Sequence, residues 1–226
     1  MGEYHADAYI AQPYNSRSDE DKKRFDPMIT GFNPTDMYAA SHIKRVLKTF
    51  PGVFSGVGEF SIHKEFVSSK VAGNTASLHD KALDRILNVC DTIGLAVIIH
   101  CDIDEPHIGA KDELPIYFDE IQDLFQRHPN NTIIWAHTGL GRIVEPTPEH
   151  INKIEILLKD PKLKNLHVDI SWSVVAERIV KVENKKAWID LINKYPDRFL
   201  FGTDEVAPKT QEDYLKVYRE YQKNDF

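Results

Sequence analysis

Short apolar runs alternate with amphipathic stretches along most of this chain. The runs fall at residues 28–32 (MITGF), 53–60 (VFSGVGEF), 95–100 (LAVIIH), 132–137 (TIIWAH), 166–170 (LHVDI) and 199–204 (FLFGTD). Each is rich in β-branched or aromatic residues and bounded by Gly, Pro or Asn. Continuous apolar runs of this length suit strands buried on both faces, as in parallel sheets. Helical patterns lie between them. Residues 35–50 sit between Asn33-Pro34 and Pro51-Gly52, which are start and stop signals. Residues 77–93 place Leu78, Ala82, Ile86 and Cys90 on one face, with Gly94 just past the end as a helix-terminating glycine. Residues 115–127 carry Phe118, Ile121 and Phe125 at helical spacing. Residues 148–159, 185–195 and 211–222 complete the set. The polar segment at 12–26 reads as an exposed loop or a short surface helix.

The order is therefore βα repeated six times over 28–226, in one domain behind a polar N-terminal segment of residues 1–27. Strand starts are about 34 residues apart, close to the spacing of an eightfold barrel. Strict alternation predicts a parallel α/β fold, either a (β/α)8 barrel lacking some units or a doubly wound sheet. No G-x-G-x-x-G follows the first strand, which removes support for the dinucleotide-binding version.

Four runs end in ionisable residues: Glu59, His100, His137 and Asp204. In parallel α/β folds the C-terminal strand ends converge on the active site. Two imidazoles and a carboxylate make a recurrent catalytic zinc set with one position open for water. Taken singly, each has a structural reading, as a hydrogen-bonded histidine or a helix N-cap. Together they point to a shared site, because burial at apolar strand ends otherwise penalises them.

The segments GVGE, IIHCD, IIWAHTGLGR and FLFGTD resemble the amidohydrolase superfamily, in its amidohydrolase-related branch of hydrolases, lactonases and nonoxidative decarboxylases of carboxylated substrates. The resemblance spans about residues 28–204. It implies a metal-dependent hydrolase on a TIM barrel, with His100 at the fifth strand, His137 at the sixth and Asp204 at the eighth. His100 is then a metal ligand, His137 a ligand or water-orienting base, and Asp204 a ligand and proton acceptor. Glu59 falls at the fourth strand, where family members carry a Lys or Glu that bridges metals. The cofactor implied is a divalent metal, zinc first, with manganese or iron as alternatives. The six strands count as numbers three to eight. The family's H-x-H pair on strand one has no counterpart here; the nearest sequence is His5-Ala6-Asp7, with no apolar strand before it. Two missing strands leave free sheet edges, which invite pairing with another chain or a homo-oligomer. They also leave open a catalytically inactive barrel remnant that serves as a binding module.

Further candidates surround these. Arg142 is placed to clamp a substrate carboxylate, Trp172 to wall a pocket, and His63 to face its mouth; helix-start, packing and surface-loop roles compete. Lys64, Asp102, Asp104 and His107 read more readily as solvated loop residues. Cys101, next to His100 in a strand, points to the opposite face and into the core. The formal charge of −7 gives no basic footprint for nucleic acid, so the expected partner is a small molecule, with a carboxylate favoured. Two cysteines make no disulfide framework. Neither a membrane span nor a signal peptide is visible, which suggests a cytoplasmic protein.

Overall fold

The computed structural model describes residues 3–63, 77–103, 117–142 and 146–226. Six strands form one sheet: β1 (Met28–Ile29), β2 (Gly56–Ser61), β3 (Ala96–His100), β4 (Ile133–Trp135), β5 (Leu166–Asp169) and β6 (Phe199–Leu200). The helices are α1 (Glu3–Asn15), α2 (Asp19–Lys22), α3 (Ala39–Thr49), α4 (Lys81–Ile93), α5 (Phe118–Arg127), α6 (His150–Lys159), α7 (Ser173–Ile179), α8 (Val182–Lys194) and α9 (Gln211–Lys223). Every neighbouring strand pair is parallel, and the spatial order is the chain order, β1 to β6. A doubly wound sheet reverses its order partway along. The unbroken order instead belongs to a singly wound barrel wall. Among the described residues β1 and β6 each pair on one side, so the wall is open.

The strand residues are buried as their apolar sequences require. Val57, Val97, Ile99, Trp135 and Val168 are fully covered. The helices lay one apolar face on this sheet. In α4, Ala82, Leu83, Ile86, Leu87 and Cys90 are buried, Asp80 caps the N-terminus by accepting from the Ala82 N–H, and Gly94 ends the helix in the left-handed region. Cys101 is buried in the core, as the alternation of a strand demands.

Two elements depart from the sequence reading. The N-terminal segment expected to be polar begins with thirteen residues of helix, α1, despite Pro13 near its end. Packing overrides local propensity here: Ala11 is fully buried, and Ile10 and Tyr14 lean on the core. Asp7 is fully buried and does not take the role considered for the His5-Ala6-Asp7 sequence. Its Oδ1 accepts from the Thr30 and Gly31 amides (3.0 and 3.1 Å) just beyond β1, and its Oδ2 lies 3.2 Å from His42 Nε2. The second departure is α7, a short helix with buried Val175, Ala176 and Ile179, in a stretch where only the later α8 was expected.

Two measurements follow. Replacing Asp7 with Ala strands both amides, so it should cost about 3 kcal/mol, a fall in Tm of roughly 6–12 °C; Asn, which keeps the accepting oxygen, should cost less than half as much. His150, the first residue of α6, is buried, and burial pushes its pKa down to about 4. The unfolded chain therefore takes up a proton at His150 near pH 6.5 while the folded chain waits until about 4. Stability should fall by about 1.4 kcal/mol per pH unit as pH drops through that window. His150→Gln should remove this component, read from denaturant midpoints against pH.

Candidate metal centre

The site is built at the C-terminal ends of β2 to β6. On β2 the register with β3 slips: Val57 faces Val97 and Phe60 faces Ile99, so Gly58 and Glu59 together oppose Ile98. This bulge re-aims the Glu59 side chain, a common use of bulges beside active sites. Gly58 allows it. Its φ is +118°, and a Cβ there would lie 2.3 Å from the Ile98 carbonyl oxygen. On β3, His100 is 1% exposed and Glu59 Oε1 lies 2.8 Å from its Nδ1.

His137 sits in a tight turn that ends β4. His137 and Thr138 both have left-handed backbones, with φ of 58° and 53°. Gly139 follows at φ +69°, where a Cβ would strike the Trp135 ring at 2.3 Å. The turn points the His137 ring at His100, with ring centroids 4.7 Å apart. His137 Nε2 is 3.7 Å from Glu59 Oε2 and 3.8 Å from Asp204 Oδ2. Glu59 thus reaches both imidazoles, one with each oxygen.

The far nitrogen of His100 is held by a carboxylate, and that of His137 by a hydroxyl tied to one. His100 Nε2 lies 2.9 Å from Asp102 Oδ1. Ser171 Oγ donates to Asp169 Oδ1 at 2.6 Å and lies 3.1 Å from His137 Nδ1. A hydroxyl has one hydrogen, so with it given to Asp169 the Ser171 oxygen accepts from His137 Nδ1–H. In the neutral ring His137 Nε2 then carries the lone pair, and among the described residues this buried atom has no hydrogen-bond partner. Asp169 also takes the His137 amide at 3.0 Å. Burial pushes the Asp169 carboxyl up, but hydrogen bonds from His137 and Ser171 outweigh it and leave the group below its ordinary range.

These observations fit a divalent cation. Glu59, His100 and His137 each offer a ligand atom within 4.8 Å of the others. Bonds of about 2.0–2.2 Å to a tetrahedral zinc place ligand atoms about 3.3–3.6 Å apart, close to the 3.7 and 3.8 Å of Glu59 and Asp204 from His137; Glu59 Oε1 and His100 Nδ1, hydrogen-bonded at 2.8 Å, would part to admit the ion. The other nitrogen of His100 has an orienting carboxylate, and that of His137 a hydroxyl held by a carboxylate, as metal-bound histidines have. Four carboxylates, those of Glu59, Asp102, Asp169 and Asp204, lie around the two rings.

Trp172 covers this cluster, its ring 5.1 Å from that of His137 and 6.3 Å from that of His100. The Arg142 guanidinium lies 5.0 Å from the Trp172 ring centre. The structure therefore brings together six of the seven residues singled out in the sequence: Glu59, His100, His137, Asp204, Trp172 and Arg142. His63 stands apart in its contacts, with its ring stacked on Tyr117 at 3.8 Å and its carbonyl accepting from the Asp102 amide. Asp102 is a correction. It is 2% exposed and holds His100, where a solvated loop residue was expected. In an extended segment the i+2 position shares a face, which was the available signal. Asp169 and Ser171 were missed altogether, although Asp169 is the last residue of β5 and Ser171 stands two positions on. Lys64, Asp104 and His107 lie outside the described residues. No described helix is long and apolar enough to cross a membrane.

Comparison with known proteins bears on the family. No curated protein sequence matches the chain. Among solved structures it is similar to a putative 2-pyrone-4,6-dicarboxylic acid hydrolase from Pseudomonas putida, with 14% identity, a TM-score of 0.55, and coverage of 97% of this chain and 70% of that one. It is similar to an uncharacterized TIM-barrel protein from Bordetella bronchiseptica, with 14% identity, a TM-score of 0.59, and coverage of 97% and 73%. It also resembles a 2,6-dihydroxybenzoate decarboxylase from Rhizobium, with 15% identity, a TM-score of 0.51, and coverage of 98% and 77%. At these identities the likeness is one of fold, and it agrees with an incomplete barrel. The amidohydrolase family model matches residues 11–222, nearly the whole chain, and the chain belongs to that family.

Proposed function

We propose that the chain is a metal-dependent hydrolase in which water attacks a C–O or C–N bond of a small carboxylated substrate. The observation that carries this reading is the buried His137 Nε2, without a hydrogen-bond partner among the described residues, beside Glu59 and Asp204, with His100 on the other side of Glu59. Glu59, His100 through Nδ1, and His137 through Nε2 would hold the cation, with Asp204 completing the set. A bound zinc, or manganese or iron in its place, lowers the pKa of water and polarises the scissile carbonyl. Asp102 and Asp169, through Ser171, keep the two rings in the tautomers this requires. Asp204 is the more open carboxylate, its side chain 32% exposed. It accepts a proton from the attacking water and returns it to the leaving group. Trp172 shields the imidazoles from solvent. Arg142, stacked on Trp172, binds the substrate carboxylate.

A second reading uses the same residues. Held at the same residues, a substrate carboxylate would leave as carbon dioxide by heterolysis of its C–C bond, and the electron pair left on carbon would take a proton from Asp204, as in a nonoxidative decarboxylase. The cation–π pair of Arg142 and Trp172, suited to an aromatic acid, favours it.

Zinc-loaded protein should hydrolyse members of a panel of carboxylated lactones, with no carbon dioxide released. Carbon dioxide from aromatic acids instead would select the decarboxylase. Neither activity across both panels would contradict an enzymatic role and leave the binding module. Asp204→Asn should lower kcat by about 10²–10⁴ while KM changes little. Arg142→Ala should raise KM for the carboxylated substrate by roughly 10- to 100-fold with kcat nearly intact; a loss confined to kcat would remove Arg142 from substrate binding.

A further inference from the structure

We propose that His150, on α6 outside the cluster, is a positioning residue for His137: its Nε2–H grips the Thr138 carbonyl and fixes the turn that aims the His137 ring. The inference deepens the metal-site reading and rests on it.

Two consecutive L-residues in the left-handed region each cost roughly 1–2 kcal/mol. Such a turn persists only where its surroundings over-determine it. Most of the restraints on this one come from the turn itself or from strand ends. Leu140 N–H and the Thr138 hydroxyl both donate to the His137 carbonyl, at 3.0 and 2.6 Å. The His137 amide goes to Asp169, and the Ile103 amide takes the Gly139 carbonyl at 3.0 Å. The Thr138 carbonyl turns away from all of these. It is met from behind by His150 Nε2 at 2.9 Å, and Thr138 is fully buried. Without that donor a buried carbonyl would be left unsatisfied, and the 138–139 peptide would gain by rotating toward another partner. Rotation there relaxes the left-handed pair and swings the His137 ring.

The chemistry of His150 fits the task. A carbonyl only accepts, so Nε2 must carry the hydrogen and Nδ1 must be bare in the neutral ring. Burial disfavours the charged form, which keeps the ring neutral above about pH 4. Nδ1 is buried and, among the described residues, has no hydrogen-bond partner. The fold therefore tolerates an unmet acceptor on this ring, a cost set against what the other nitrogen does. A second clamp acts on the same segment, where Arg178 Nη2 donates to the Arg142 carbonyl at 2.9 Å.

The test compares three variants. His150→Gln places an amide N–H where Nε2 stands. His150→Phe keeps the ring and loses the donor. His150→Asn places its amide where Nδ1 stands and falls short of Thr138. Zinc affinity is measured by competition with a chromogenic chelator, alongside ring-¹⁵N shifts of His137 in metal-free protein and thermal unfolding as the control for folding. Gln should bind zinc about as wild type does, and Phe and Asn about 10- to 100-fold more weakly, with folded metal-free spectra. In the ring spectra, wild type and Gln should show His137 as the single Nδ1–H tautomer, and Phe and Asn a mixture. Wild-type zinc affinity and an unchanged tautomer in Phe or Asn would overturn the proposal. Should Phe fail to fold, the Gln–Asn contrast decides in the same sense. Should wild type bind no zinc, the metal reading fails, and the tautomer of His137 alone decides the positioning role.

Discussion

Glu59 stands between two buried imidazoles, 2.8 Å from His100 Nδ1 and 3.7 Å from His137 Nε2, and the placement of this one carboxylate governs the architecture around it. Bringing a carboxylate and two rings together under an apolar cover costs desolvation, which only hydrogen bonds or a cation can offset. The fold supplies the hydrogen bonds on the outer side of each ring, from Asp102 and from Asp169 with Ser171. Among the described residues it leaves the inner side, at His137 Nε2, unmet. That asymmetry is what the proposed cation would resolve.

Holding the site in place draws on backbone conformations that are costly alone. Gly58 passes close beneath Ile98, His137 and Thr138 take left-handed angles, and Trp172 and Asp204 do the same with φ of 77° and 47°. The ends of β4, β5 and β6 thus carry strained residues at the points where side chains must turn inward. The rigid parts lie below them, in fully covered strands packed by α3 to α8. Tyr221 on α9 contributes as well, donating its hydroxyl to the Ile170 carbonyl at 2.8 Å, between Asp169 and Ser171.

Much of this was legible in the sequence. The six apolar runs and their even spacing carried the parallel topology, because a strand buried on both faces has no polar alternation to hide it. Glu59, His100, His137 and Asp204 are the ionisable residues that end those runs, and the fold sets them beside one another. What was not legible has physical causes. The bulge at Gly58-Glu59 and the left-handed turn at 137–138 are tertiary choices with no periodic signature. Asp102 and Ser171 became visible only when the chain was shown to continue extended past the strand ends. Helix α1 was masked by Pro13 and by the charge that follows it, while the few apolar residues that anchor it, Ile10, Ala11 and Tyr14, are sparse in sequence. Asp7 was noticed for the wrong reason: its carboxylate satisfies the amides beyond β1 rather than joining the centre.

X-ray absorption at the zinc edge, on protein loaded with one equivalent, is the decisive measurement. The spectrum should show an inner shell of nitrogen and oxygen at about 2.0–2.1 Å with the outer-shell pattern of two imidazoles, reduced to one in either His100→Ala or His137→Ala. A shell of oxygens alone, or an imidazole pattern that survives both substitutions unchanged, would contradict it.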